Sequence, residues 1–81
     1  MTAKEAYGII KKEYPGMVAI ECLEFKSFYA FGLTEEGKEN EQIGGGYTTV
    51  NKTSGKIGAF NPTEDFEAFL RADPIDVDAL N

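Results

Sequence analysis

The apolar positions of this chain open at helical spacing and then change period. Ala3, Ala6, Tyr7, Ile10 and Tyr14 recur every three or four residues, with Lys4, Lys11 and Lys12 largely off their stripe. Thr2-Ala3-Lys4-Glu5 has the form of a capping box, in which the Thr hydroxyl and the Glu carboxylate each satisfy a backbone donor that a helix start leaves orphaned. A helix is therefore predicted from Thr2, ending at Tyr14-Pro15-Gly16, because proline disfavours helical geometry for the residue before it. From Met17 to Glu24 the period shortens to two. Val18, Ile20 and Cys22 alternate with Ala19 and Glu21, which predicts a strand with the second set on its wetter face.

A turn near Phe25-Lys26-Ser27 leads to a second strand, Phe28 to Leu33, unless that segment simply continues the first. Thr34 to Asn40 is charged around a central glycine and reads as an exposed hairpin loop. Glu41 to Asn51 is a third strand interrupted by Gly44-Gly45-Gly46, where a bulge or the close approach of another backbone is expected. Asn51 to Lys56 is a turn with Gly55 available for positive φ, followed by a fourth strand, Ile57 to Phe60. Asn61-Pro62-Thr63-Glu64 opens a second helix capped by Asn61, with Phe66, Phe69 and Leu70 as its buried stripe and Asp73-Pro74 as its stop. The tail from Ile75 adds one further turn capped by Asp76.

These elements predict a two-layer α+β domain over residues 1–81: an N-terminal helix, an antiparallel sheet of three or four strands, and a C-terminal helix, with both helices on one face. Val18, Ile20, Tyr29, Phe31, Phe66 and Phe69 are the expected core. Phe28 opposes Tyr29 and Phe31 in parity, so one sheet face is liable to leave rings without helical cover, unless twist or the C-terminal tail covers them.

Composition narrows the function classes. Hydrophobic residues make up 42% of the 81, with four Tyr and six Phe, which excludes the disordered class. No apolar run approaches the ~20 residues that span a bilayer, and a cytoplasmic address is expected. The net charge is −6, and beyond Thr63 six carboxylates face Arg71 alone. Such a surface repels nucleic acid and anionic membranes and complements a basic protein. Glu64, Asp65, Glu67, Asp73, Asp76 and Asp78 are accordingly the candidate partner-binding residues, against the plainer reading that they only solvate the surface.

No catalytic or cofactor-binding residues are expected. The chain has no His, the usual acid–base group near neutrality, and one Cys, so it lacks the nitrogen and sulfur ligands of a zinc site. Cys22 lies in an apolar strand and reads as a small hydrophobe, inert and dispensable for function. Ser27 and Ser54 fall in turns. Asp73, Asp76 and Asp78 lack the central glycine and closing Glu of a calcium loop, so no metal is expected. Gly44-Gly45-Gly46 runs on into Tyr47-Thr48-Thr49-Val50, without the helix that a phosphate-binding loop requires.

The stretch Ile43-Gly44-Gly45-Gly46-Tyr47-Thr48-Thr49-Val50-Asn51-Lys52-Thr53-Ser54-Gly55-Lys56-Ile57, with Phe60 and a helix opening Pro62-Thr63-Glu64, resembles the C-terminal half of the YrhB-like family, mainly over residues 43–72. A similar strand-turn-strand signature occurs in PepSY-type modules. Members of the YrhB-like family are small bacterial proteins grouped with the immunity proteins of polymorphic toxin systems. The resemblance implies a non-enzymatic protein that binds and neutralises a toxin. The competing expectation is a structural or assembly protein of a phage or mobile element acting through self-association, and a homodimer is compatible with either.

Overall fold

In a computed structural model the described residues are 1–37 and 46–80. In chain order they form α1 (Ala3–Glu13), β1 (Met17–Glu24), β2 (Phe28–Glu35), β3 (Tyr47–Asn51), β4 (Ile57–Phe60), α2 (Phe66–Arg71), β5 (Asp73–Ile75) and a 3-10 turn (Val77–Leu80). The five strands make one antiparallel sheet in the order β4-β3-β2-β1-β5. The fold is thus the expected α+β arrangement, with a fifth strand where Asp73-Pro74 marks only the end of a helix by sequence. None of the described helices is long and apolar enough to cross a membrane.

Both halves of the capping box are in place. The Thr2 hydroxyl accepts from the Glu5 N–H at 3.2 Å, and the Glu5 carboxylate accepts from the Thr2 N–H at 3.0 Å. The bond from the Thr2 N–H, and after it the Thr2 hydroxyl, hold the Glu5 carboxyl below the usual range. Ala6, Tyr7 and Ile10 are buried, while Tyr14 lies past the last turn and is exposed. Tyr7 stacks on Phe31 with ring centroids 5.9 Å apart, and its hydroxyl accepts from the Ala19 N–H at 3.1 Å. One side chain therefore fastens α1 to two strands.

The face pattern of β1 departs from simple alternation. Pairing with β2 passes from Ala19–Leu33 to Glu21–Gly32, leaving Ile20 as the extra residue of a bulge. A one-residue insertion exchanges the faces, so Ala19 and Cys22 both point toward α1 while Val18 points away. Val18 and Ile20 are half-buried rather than core, and Cys22, Tyr29, Phe31 and Val50 form the centre of the helix-side core. Leu80 joins it at 4% exposure. The acidic tail is thus anchored by the turn that the Asp76 carboxylate caps, accepting from the Asp78 N–H at 3.0 Å.

The other corrections follow from local geometry. Thr34 and Glu35 belong to β2, and Thr34 is buried; the rest of the proposed loop beyond Gly37 lies outside the described residues, as do Gly44, Gly45 and the start of the proposed third strand. At Gly46 the close approach is real, since a Cβ there would sit 2.8 Å from the Phe60 carbonyl oxygen. The Asn51–Lys56 turn forms as read, with Gly55 at φ 72° and the Asn51 side chain accepting from the Thr53 and Ser54 N–H groups. Asn61 caps a turn and not a helix: its side chain accepts from the Thr63 N–H, and α2 begins only after Asp65, whose carboxylate accepts from the Ala68 N–H at 3.1 Å.

α2 does not share a face with α1. Its Phe69 packs on Tyr47, which has the parity of Thr49 and so lies on the reverse of the sheet from Val50. The helix side is already filled by α1 and Leu80. A helix of this length turns one ring inward, so Phe69 is half-buried and Phe66, expected in the core, is 60% exposed. Truncating Phe31 to Ala should therefore cost about 3–5 kcal/mol, whereas Phe66→Ala should stay within about 0.5 kcal/mol of the parent. Urea denaturation of the two variants measures the difference.

Candidate functional site

The reverse face of the sheet carries a chain of aromatic rings. The tight β1–β2 turn, closed by the Phe25 N–H donating to the Phe28 carbonyl at 2.9 Å, stacks Phe25 on Phe28 with centroids 4.4 Å apart. Phe60, at the end of β4, tilts onto both at 4.9 and 5.9 Å. Its cross-strand partner Tyr47 continues the row at 6.5 Å, Phe69 of α2 follows at 6.1 Å, and Phe66 ends it at 6.3 Å. Such tilted and offset contacts are the arrangements that aromatic quadrupoles favour.

Tyr47 holds the middle of this row because β2 supplies no side chain beneath it. A Cβ on Gly32 would meet the Tyr47 ring at 3.6 Å and the Glu21 Cβ at 3.3 Å, so the glycine makes the seat for the ring. The Tyr47 hydroxyl donates to the Glu21 carboxylate at 2.9 Å. Burial first, then this bond and the adjacent negative charge, push the Tyr47 hydroxyl up to about 12. Leu23, Ala30 and Thr49 are buried below the rings.

The row ends in solvent. Phe66 and Leu70, one helical turn apart on α2, are 60% and 66% exposed, and Glu64, Asp65 and Glu67 are exposed beside them. At the other end, a cleft of about 500 Å³ lies where the β1–β2 turn, α2 and β5 meet. It brings Lys26, Lys52 and Arg71 together with Glu24 and Asp73. Lys52 pairs with Glu24 at 2.8 Å and lies 4.8 Å from the centre of the Tyr29 ring, so its charge is already engaged.

The six carboxylates singled out by sequence fall into three places. Glu64, Asp65 and Glu67 flank the exposed end of the aromatic row. Asp73 enters the charged cleft. Asp76 caps the 3-10 turn, and Asp78 lines a separate cleft against α1 with Tyr7 and Lys11. Asp65 and Asp76 also serve as local caps, a role that removing their charge would disturb. The rings of Phe25, Tyr47 and Phe60 were not among the candidates; the opposed parities of Phe28 and Phe31 are the sequence signal that points toward them.

Cys22 is buried at 1% exposure, and its thiol is pushed up to about 11, chiefly by burial and further by the nearby Glu24 charge. Among the described residues no three Cys, Asp or Glu side chains converge as a metal site would require. Comparison with models of known families, with curated proteins and with solved structures finds no match to this chain.

Two measurements check this chemistry. Native protein should react with a thiol reagent far more slowly than protein unfolded in urea. The Tyr47 hydroxyl titrates higher in the folded chain than in the unfolded one, so its contribution to stability is complete below about pH 10, the ordinary tyrosine value, and is lost as pH rises toward 12. Tyr47→Phe should therefore show a shallower loss of stability than the parent across that alkaline window, measured by denaturation at several pH values.

Proposed function

We propose that this protein is a non-enzymatic binding domain that neutralises or holds a basic protein partner, gripping it with the exposed end of the aromatic row. The observation that carries the reading is the pair Phe66 and Leu70, held 60% and 66% exposed on a helix flanked by Glu64, Asp65 and Glu67. An apolar centre with a charged rim is the usual anatomy of a protein contact, and aromatic side chains commonly dominate its energetics. The carboxylate rim selects a cationic partner and speeds encounter with it, an effect that weakens as salt shortens the Debye length.

The absence of histidine and the buried, high-titrating Cys22 support a non-enzymatic role. The resemblance to the YrhB-like family supports an immunity role in particular, with a toxin as the basic partner. The acidic balance of the chain disfavours nucleic acid and anionic membranes as alternatives.

Affinity capture from the protein's own host, run in parallel with the parent and with the double variant Phe66→Ser/Leu70→Ser, tests the proposal. Both side chains are exposed, so the variant should melt as the parent does. A basic protein retained stoichiometrically by the parent and lost from the variant is the expected result. For an immunity role, co-expression of the parent should also relieve the toxicity of the captured protein. Equal retention by both forms, or no retained protein, overturns the reading.

A further inference from the structure

The two edges of the sheet are built differently. In an antiparallel ladder the N–H and C=O of one residue point to the same side, and the side alternates along the strand. The Asn51 N–H donates to the Lys56 carbonyl at 3.0 Å, and β3 pairs with β4 in the register Thr49–Gly58 and Tyr47–Phe60. Lys56, Gly58 and Phe60 therefore direct their backbone groups toward β3. Ile57 and Ala59 direct theirs outward, from the edge strand of the sheet.

The same reasoning at the opposite edge gives a guarded strand. The Phe25–Phe28 bond turns Cys22 and Glu24 toward β5, so Ile75 and Asp73 point inward and Pro74 points out. Proline has no N–H to offer there. Proline, charge and shortness are the usual means by which edge strands avoid further pairing. β5 has all three. β4, Ile-Gly-Ala-Phe, has neither a charge nor a proline.

We propose that two copies of this chain pair through their β4 edges, antiparallel about a two-fold axis at Gly58. Charge selects the occupant and its direction. β4 is preceded by Lys56 and followed by Glu64, both exposed. Antiparallel pairing sets the basic flank of each copy against the acidic flank of the other, whereas parallel pairing would oppose like charges. Hydrogen bonding selects the register. An axis at Gly58 places Ile57 opposite Ala59 of the second copy, and each such pair exchanges both of its backbone bonds. An axis at Ala59 would need the Asn61 carbonyl, which already accepts from Glu64 and Asp65. An axis at Ile57 would need the Gly55 N–H, which already donates to Asn51. At Gly58 the facing positions carry no side chains, and Lys56 lies opposite Phe60 of the second copy on the reverse face. The backbone pairing lies at the sheet edge and leaves Phe66 and Leu70 outside it, so it is tested apart from partner binding through those side chains.

Analytical ultracentrifugation of the intact chain tests the pairing. The parent should sediment at twice the 8.9 kDa chain mass. Ala59→Pro removes an outward N–H and leaves every β3–β4 bond intact. It should keep the parental circular dichroism while raising the dimer dissociation constant at least about tenfold. A parent that is monomeric up to its solubility limit, or an Ala59→Pro variant that dimerises as well as the parent, overturns the proposal. Should the variant fail to fold, amide exchange in the parent decides. Exchange at Ile57 and Ala59 must slow as concentration rises, and exchange independent of concentration overturns the pairing.

Discussion

One helix of 11 residues has to serve a sheet that is apolar on both faces. Most of the architecture follows from that constraint. α1 covers one face, and Tyr7 fixes it there by stacking on Phe31 while accepting from the backbone of β1. Among the described residues the other face has no comparable helix. It is closed instead by the row of aromatic rings, with Tyr47 seated on Gly32, and by the short α2 at one corner. The residues after Phe60 are divided between the two tasks: Phe69 returns to the reverse face, and Leu80 completes the helix side. Incomplete cover at α2 is the direct result of that division, and it is where a partner's surface would find apolar contact.

Elements governed by local chemistry were legible in the sequence. Thr2 and Glu5, Gly55 and the limits of β4 all express preferences confined to a few residues. Features set by pairing between distant segments were not. Nothing around Ile20 distinguishes a bulge from regular alternation, because the extra residue is defined only by the register against Leu33 and Gly32. Asp73-Pro74-Ile75 reads as a helix stop because its strand character comes from the partner it meets in β1. The side taken by α2 was equally hidden, since an apolar stripe states that a helix is buried without stating where.

The carboxylates illustrate the same division at the candidate site. By sequence they form a single run of charge, but Asp65 and Asp76 are engaged by their own backbones, Asp73 faces a cluster of cations, and Glu64 and Glu67 flank exposed apolar side chains. Charge that is continuous along the chain is thereby parcelled into structural, compensated and outward-facing portions. Only the last is suited to attracting a partner at a distance.

Strand β5 has a consequence for how the molecule assembles. Asp73 pairs with Glu24 across roughly fifty residues, so the outer edge of β1 is the last part of the sheet to be closed on loop-entropy grounds. Until then β1 presents the unpaired backbone groups of Cys22 and Glu24, and Cys22 is buried to 1% exposure in the finished fold. Any state in which the three-residue β5 is detached exposes the β1 edge, so conditions that loosen β5 favour aggregation through that strand.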